Sequence, residues 1–177
     1  LRGSEVPLVD GSALGWVEAI AEAGLTPAAT ERLPQPVLTE PMVRCRGASV
    51  ITATPAERFS LVGIIDFPQA AIGRQQFALE LTPQRFVDEI APARTFGFRD
   101  QVEQLRAAGL IQGGALDNAL VCDGDQWMNP PLRFADEPVR HKLLDLIGDL
   151  ALVGFPQAQV LVYRGSHGLH TDLAAAL

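Results

Sequence analysis

The longest helical pattern in the chain runs from Asp136 to Leu152, and it constrains the fold more than any other segment. Its apolar residues recur at the spacing of one helix face, and such a stripe has to be covered by another layer. The stripe consists of Val139, Leu143, Leu146, Ile147 and Leu150. Pro138 falls in the first turn, where a missing N–H breaks no intrahelical hydrogen bond. The segment therefore predicts a long amphipathic helix.

Short strand-like segments precede this helix. Each is rich in β-branched or apolar residues and is bounded by glycine or proline, which is typical of strands and turns. They cover residues 42–45, 49–54, 59–65 and 76–81, with a hairpin at 120–128 and a later strand at 160–163. Shorter helices are predicted at 83–90, 100–108 and 168–176. Because helices and strands mix without regular alternation, we expect an α+β fold, a small and mostly antiparallel sheet layered with helices.

A proline-rich stretch separates a first helix from the rest of the chain. That helix is predicted over about 12–24, with Asp10 or Ser12 as its N-cap and Gly24 at its C-terminal end. Residues 26–41 hold four prolines, which favour an extended linker. We therefore predict a domain boundary at residue 36, between a segment 1–36 and a domain 37–177.

Charge and hydropathy exclude some partners. The chain has 14 Lys and Arg against 21 Asp and Glu, a net charge of −7, whereas a nucleic-acid binder needs clustered cations. Lys142 is the single lysine in the sequence. No run approaches the roughly 18 apolar residues of a membrane span, and no signal peptide is apparent. We expect a cytoplasmic protein without stable membrane insertion, with Cys45 and Cys122 as reduced, buried thiols.

The long helix carries a histidine and an aspartate four residues apart. His141 and Asp145 lie one above the other on such a helix and can present a nitrogen and an oxygen to one metal ion. Asp149 continues the row. The same pair also occurs as a solvated ion pair, and both interpretations stay open from the residues alone.

The other two histidines follow the last predicted strand. His167 stands where a strand ends and a helix begins, so it is either a third metal ligand, a general acid near neutral pH, or a capping or surface residue. His170 is predicted to be a surface residue. On local pattern alone, Thr95 and Phe96 are core or turn residues.

Several motifs together resemble a known family. They are Ala93–Phe98, Gly113–Asn118 and Asp136–Leu150, with Glu5–Ala13 before them and Ser166–Leu169 after them. In sequence and in order, they resemble the zinc-dependent UDP-3-O-acyl-N-acetylglucosamine deacetylases of lipid A biosynthesis. The resemblance covers essentially the whole chain.

The resemblance implies a fold and a set of functional residues. It implies two similar domains with the active site between them, of which this chain holds the last helix of the first and all of the second. It implies Zn²⁺ as cofactor with His141 and Asp145 as ligands. Asp149 is then expected to orient His167, which acts as general acid or electrostatic stabiliser.

The resemblance also implies how substrate is bound. Lys142 would contact UDP-3-O-acyl-N-acetylglucosamine near the reacting sugar, Thr95 would assist at the oxyanion, and Phe96 would pack on the substrate. Residues 98–121 would line an apolar passage for the acyl chain.

Part of the family's site has no counterpart in this sequence. The family's third zinc ligand, a histidine, and its glutamate base belong to the first domain, and no histidine precedes His141 here. We therefore expect a fragment that is inactive alone and has the N-terminal domain of the same protein as its partner. A non-catalytic module binding a nucleotide sugar or an acyl chain, and a purely structural domain, are the alternatives.

Overall fold

The computed structural model of the chain describes residues 6–27, 35–107, 118–129 and 131–177. Its helices are α1 (Leu14–Ala23), α2 (Pro83–Arg85), α3 (Arg99–Ala107), α4 (Glu137–Leu150) and α5 (His167–Ala174), with a π-helical turn (Phe86–Ile90) after α2. Its strands are β1 (Met42–Arg46), β2 (Ser49–Pro55), β3 (Ser60–Asp66), β4 (Arg74–Glu80), β5 (Phe96–Phe98), β6 (Leu120–Asp123), β7 (Gln126–Trp127) and β8 (Ala158–Tyr163). The predicted α+β class is confirmed.

Five strands of the described residues form the main sheet, in the order β1-β2-β8-β3-β4. Neighbouring strands are antiparallel except β3 and β8, which are parallel. The sheet is therefore mostly antiparallel, as predicted. Its central strand is β8, the last in the sequence, so the two hairpins β1-β2 and β3-β4 are joined only when the C-terminal segment lies between them.

Helices α4 and α5 cover one face of this sheet. Helix α4 packs on β3 and β4, and α5 packs on β1 and β2. Every residue of the predicted apolar stripe of α4 is buried, and each such side chain contributes roughly 1.5–3 kcal/mol when fully buried. Strand β3 alternates buried and half-buried residues along its length, because only one face of the sheet meets the helices.

A smaller sheet of β5, β6 and β7 lies beside the N-terminal end of α4. Val139 of α4 belongs to its apolar cluster, against which Phe96 and Phe67 pack with their rings edge to face at 5.6 Å. Gly124, with φ of +64°, closes the predicted hairpin between β6 and β7. This packing brings the segment 93–98 against the polar part of α4.

Helix α1 confirms the predicted first helix, with a modified cap. The Leu14 N–H donates to Ser12 Oγ at 3.2 Å, but Asp10 accepts from Ser12 and not from the helix. Gly24 has the predicted positive φ (+78°), but its ψ of 165° is not that of the left-handed helix. The Ala13 N–H donates to Ala91 O at 2.9 Å and so ties the start of α1 to the body.

Some predictions are corrected or fall outside the described residues. Cys45 is exposed and not buried, because β1 is an edge strand and Cys45 lies on the face opposite Met42, while Cys122 is buried and both thiols are free. Residues 28–34 of the predicted linker, and residues 108–117 of the predicted acyl passage, lie outside the described residues. Every helix in the described part is too short or too polar to traverse a lipid bilayer.

Gly63 of β3 lies directly under α4, and its substitution tests this packing. A Cβ at Gly63 would lie 2.9 Å from Cδ2 and Cγ of Leu143, a fully buried side chain. We expect Gly63→Ala to lower the free energy of unfolding by about 1–3 kcal/mol through overpacking, measured by urea denaturation.

Gly148 of α4 provides the matched control. A Cβ there meets no atom within 4 Å and the residue is exposed on a helix, so Gly148→Ala should be neutral or stabilising by up to about 1 kcal/mol. Equal destabilisation by both substitutions would contradict the close contact of β3 and α4.

Candidate active site

His141 lies on α4 with its ring almost entirely buried. Its Nδ1 lies 3.0 Å from Ala93 O, and because a carbonyl only accepts hydrogen bonds, Nδ1 carries the proton. Burial lowers the pKa of His141 below its usual value, although Asp145 opposes the shift. The imidazole is therefore neutral at pH 7, with the lone pair of Nε2 on the side away from Ala93, which is the state of a metal-ligating histidine.

Asp145 faces that nitrogen. His141 Nε2 and Asp145 Oδ1 are 3.5 Å apart, and two ligands of one tetrahedral ion at about 2.0–2.1 Å are separated by about 3.4 Å. Lys142 Nζ donates to the other carboxylate oxygen, Oδ2, at 2.7 Å. The separation of the predicted pair therefore matches that of two ligands of one divalent ion, and Lys142 partly balances the charge of Asp145.

A second polar cluster lies one turn further along α4. Asp149 Oδ2 accepts from Nδ1 of His167 at 2.9 Å and from Nδ1 of His170 at 2.8 Å. Among the described residues, these are the three side chains whose ligand atoms group closely enough to hold an ion by themselves. Nitrogens 2.8–2.9 Å from one oxygen are at hydrogen-bond distance, which is shorter than the separation of two co-ligands. We therefore interpret this cluster as a hydrogen-bonded triad.

His170 is not the surface residue that its sequence position predicts. It lies with Leu169, Leu173 and Ala174 on the buried side of α5, and its side chain is 1% exposed. Burial lowers its pKa, against the hydrogen bond to Asp149. His167, in contrast, is 70% exposed at the start of α5, after the cap formed by Ser166.

Phe96 and Lys142 lie close to His141. The rings of Phe96 and His141 meet edge to face at 6.4 Å, and Lys142 Nζ lies 6.0 Å from the centroid of Phe96. Thr95 precedes Phe96 on this segment, and its backbone holds the segment at both ends. The Thr95 N–H donates to Gly11 O at 2.7 Å, and Thr95 O accepts from Leu120 N at 2.8 Å.

Two clefts meet this group of residues. The first, of about 450 Å³, is lined on one side by Asp145, Asp149 and His167 and on the other by residues 6–16. The second, of about 360 Å³, is lined by Lys142, Arg164 and Asp66, among others. Lys142 and Arg164 give the second cleft two cations, in a chain whose net charge is −7.

Sequence reasoning missed Arg164 and Asp66. Asp66 accepts from the Tyr163 hydroxyl at 2.8 Å, and this hydrogen bond raises the pKa of Tyr163. Arg164 has a φ of +54°, unusual for a residue other than glycine, and its N–H donates to Ile64 O at 2.9 Å. No local sequence signal places Arg164 in one cleft with Asp66 and Lys142, because the parallel pairing of β3 with β8 and the packing of α4 on β3 bring these segments together.

Sequence reasoning also missed a fully buried carboxylate, Glu137, in the first turn of α4. Its Oε1 accepts from the backbone N–H and the Nε of Arg94 at 3.0 and 2.9 Å. Its Oε2 accepts from the Arg133 N–H at 2.6 Å. The Arg133 guanidinium in turn binds Pro92 O and pairs with Asp10. The carboxylate thereby joins the segments before β5 and before α4, and the Arg133 guanidinium extends this network to the segment before α1.

Comparison with known proteins gives one consistent result. Residues 1–177 match the model of a family described as UDP-3-O-acyl N-acetylglycosamine deacetylase. A UDP-3-O-acyl-N-acetylglucosamine deacetylase of Thermosynechococcus vestitus is 54% identical, over 100% of this chain and 61% of the relative. One of Synechocystis sp. is 52% identical, over 98% and 64%. A relative of Arabidopsis thaliana, named as mitochondrial, is 45% identical over 99% and 58%. The chain thus spans about three fifths of the length of these relatives.

Removal of the Glu137 carboxylate should be strongly destabilising. Glu137→Ala leaves the Arg94 charge and several N–H groups without their acceptor, and the loss of one partner of a buried ion pair costs about 3–5 kcal/mol. Denaturant unfolding measures this cost. Glu80→Ala is the control, since Glu80 forms an exposed pair with Arg58 and should change stability little. If both variants unfold alike, Glu137 does not organise these segments.

The burial of His170 should make stability depend on pH. A histidine whose pKa is lowered in the folded state binds fewer protons when folded than when unfolded. Its contribution to the free energy of unfolding is therefore complete above the unfolded pKa of about 6.5 and is lost as the pH falls. We expect the free energy of unfolding to drop from about pH 7.5 to about pH 5.5, by at most about 1.4 kcal/mol per pH unit for each such histidine.

The variant His170→Asn isolates this contribution. In this variant the free energy of unfolding should fall less steeply with decreasing pH than in the wild type. Some dependence should remain, because the pKa of His141 is also lowered in the folded state. Urea denaturation at several pH values measures this dependence, and a chelator in the buffer removes any effect of metal binding. An unchanged slope would show that His170 is accessible to protons in the folded state.

Proposed function

The chain belongs to the UDP-3-O-acyl N-acetylglycosamine deacetylase family, and on that premise we propose that the full-length protein hydrolyses the acetamide of UDP-3-O-acyl-N-acetylglucosamine in lipid A biosynthesis. The products are acetate and the free amine. The observation that carries the proposal is the separation of 3.5 Å between His141 Nε2 and Asp145 Oδ1, beside a histidine held by a carboxylate.

We propose Zn²⁺ as the cofactor, with His141 and Asp145 as two of its ligands. The donor set supports zinc, because a neutral imidazole and a carboxylate are common zinc ligands. When bound, zinc polarises a carbonyl and activates water for attack. The described residues provide no third ligand beside the pair, and the family resemblance implies a histidine and a glutamate base from the N-terminal domain. The chain of 177 residues is therefore expected to be inactive by itself.

His167 is the proposed acid. Its Nδ1 is bound to Asp149, so its Nε2 is the nitrogen available to a substrate in the cleft. A protonated imidazole in this position stabilises the negative charge that develops on the carbonyl oxygen and then gives its proton to the departing amine. Asp149 stabilises the imidazolium and keeps the ring in one orientation. Thr95 is proposed to assist at the same oxygen.

The second cleft suits the anionic part of the substrate. Lys142 and Arg164 both line it, and two cations on one pocket favour a diphosphate. Phe67 lines the same cleft with an aromatic ring, and Phe96 lies near both Lys142 and His141 and is proposed to pack on the sugar. Lys142 thus contacts both the proposed metal ligand Asp145 and the proposed phosphate site.

We keep the cytoplasmic location as a proposal. Free thiols at Cys45 and Cys122 agree with a reducing compartment, whereas the Arabidopsis relatives are named as mitochondrial. The apolar residues that were expected to line an acyl passage lie in large part among residues 108–117, outside the described residues.

The test is acetate release from UDP-3-O-acyl-N-acetylglucosamine by the full-length protein. A chelator should abolish turnover and added zinc should restore it. His141→Ala and Asp145→Ala should each lower activity at least about 100-fold, because even outer partners of metal ligands cost 10–100-fold. His167→Ala should lower kcat by about 10²–10⁴-fold while zinc is retained, since it removes the acid and not a ligand.

Asp88→Ala serves as the matched control, since Asp88 is exposed on the π-helical turn and accepts only from Gln84 among the described hydrogen bonds. It should keep wild-type turnover. Full activity of the double variant of His141 and Asp145 would refute the proposal. Substrate binding without any turnover by the wild-type protein would favour the non-catalytic binding module.

A further inference from the structure

His170 lies next to the proposed acid, with the two imidazole rings edge to face at 6.3 Å and its own side chain shielded from solvent. Its Nδ1 and that of His167 approach the same oxygen of Asp149, at 2.8 and 2.9 Å. The two histidines differ sharply in environment, because the side chain of His170 is 1% exposed and that of His167 is 70% exposed. An exposed ring is not held by packing, so the orientation of His167 depends on Asp149.

The contacts of Asp149 leave little else to fix it. Among the described residues, His167 and His170 provide the hydrogen bonds to its carboxylate. The preceding residue, Gly148, is exposed, and a Cβ there would meet no atom within 4 Å. No side chain therefore packs at position 148, and the Asp149 side chain itself is 17% exposed. His170 is therefore the one rigid, buried donor that holds Asp149 Oδ2 in place within the described part of the chain.

The surroundings of His170 show that its ring is closely fitted. Its Nε2 is buried and has no hydrogen-bond partner, which costs free energy. A Cβ at position 165 would lie 2.5 Å from that nitrogen and 2.8 Å from Cγ2 of Val162. Gly165 does not have a positive φ, so its backbone conformation does not require glycine. Glycine is needed at this position because any side chain would collide with the ring of His170. Burying His170 with an unpaired nitrogen therefore costs stability. In return, the histidine provides a buried Nδ1–H that donates to Asp149.

We propose that His170 is a positioning residue for the deacetylation, which holds Asp149 so that His167 directs its Nε2 into the cleft. This inference rests on the proposed function of His167. Carboxylate-bound imidazoles lose their orientation when the carboxylate is free to rotate, and a misplaced acid lowers turnover without weakening substrate binding.

The experiment compares donor and non-donor side chains at position 170 in the zinc-loaded full-length protein. His170→Leu removes the donor and keeps an apolar side chain of similar size. We expect kcat to fall about 10–100-fold, as for other outer partners of catalytic groups, with KM within about twofold of wild type and zinc content unchanged. His170→Asn keeps an N–H donor and should recover most of the lost kcat.

A second measurement is independent of turnover. In spectra of ¹⁵N-labelled histidine side chains, the Nδ1–H signal of His167 should be sharp in the wild type and in His170→Asn, and lost to solvent exchange in His170→Leu. If His170→Leu does not fold, as judged by its denaturation midpoint, His170→Met replaces it, because its flexible side chain fills irregular space without an N–H donor.

The outcomes separate this inference from the proposed function. An unchanged kcat in His170→Leu would overturn the positioning role, because loss of the donor would then have no effect. Equal losses of kcat in His170→Leu and His170→Asn would also overturn it, because they would reflect altered packing and not the loss of the N–H donor. A wild-type protein that releases no acetate would refute the deacetylase proposal, and the Nδ1–H signal of His167 would still decide whether His170 orders the pair.

Discussion

The site depends on the hydrogen bonds and the ion pair formed by the buried carboxylate of Glu137. It binds the backbone and side chain of Arg94 and the backbone of Arg133, and so fixes the segment 92–95 against the first turn of α4. Ala93 O on that segment binds His141 Nδ1, which determines that the lone pair of His141 lies at Nε2, facing Asp145. A carboxylate outside both clefts thus helps to set the tautomer of the proposed metal ligand. Without it, the Arg94 guanidinium would lose its ion-pair partner, the N–H groups of Arg94 and Arg133 would lose their acceptor, and the segment that carries Thr95 and Phe96 would lose one of its attachments.

Helix α4 combines a structural and a chemical face. Its apolar stripe packs on β3 and β4, and this contact is close enough that Leu143 lies against the backbone at Gly63. On the other side, His141, Asp145 and Asp149 follow one another at intervals of four residues, and Asp145 and Asp149 line the cleft that also holds His167. The rigid helix sets the spacing of these groups, while α5 brings two histidines to Asp149. Lys142 lines the second cleft and donates to Asp145 of the first, and so connects the two proposed sites electrostatically.

Much of the fold could be predicted from local patterns. The strands β1 to β4, the β6-β7 hairpin and the helices α1 and α4 lie where their turn residues, caps and apolar periodicity predict them, within a few residues. Two features could not be predicted in this way. The parallel pairing of β3 with β8 joins segments about one hundred residues apart, and the exposure of Cys45 depends on β1 being an edge strand. The burial of His170 was predicted wrongly, because a short helix with few apolar residues does not reveal which side meets the sheet.

The sequence by itself determined the family and the order of polar groups along α4, since helical geometry converts intervals of four residues into a row of side chains whatever the surrounding structure. It also determined that Lys142, the single lysine of the chain, stands next to His141. Only the tertiary structure decided that Glu137 is buried and paired with Arg94, that Arg164 lines the same cleft as Lys142, and that the buried His170 donates to Asp149. These contacts bring together residues 21 to 43 positions apart or join strands across the sheet, and local sequence patterns hold no information on pairings at such distances.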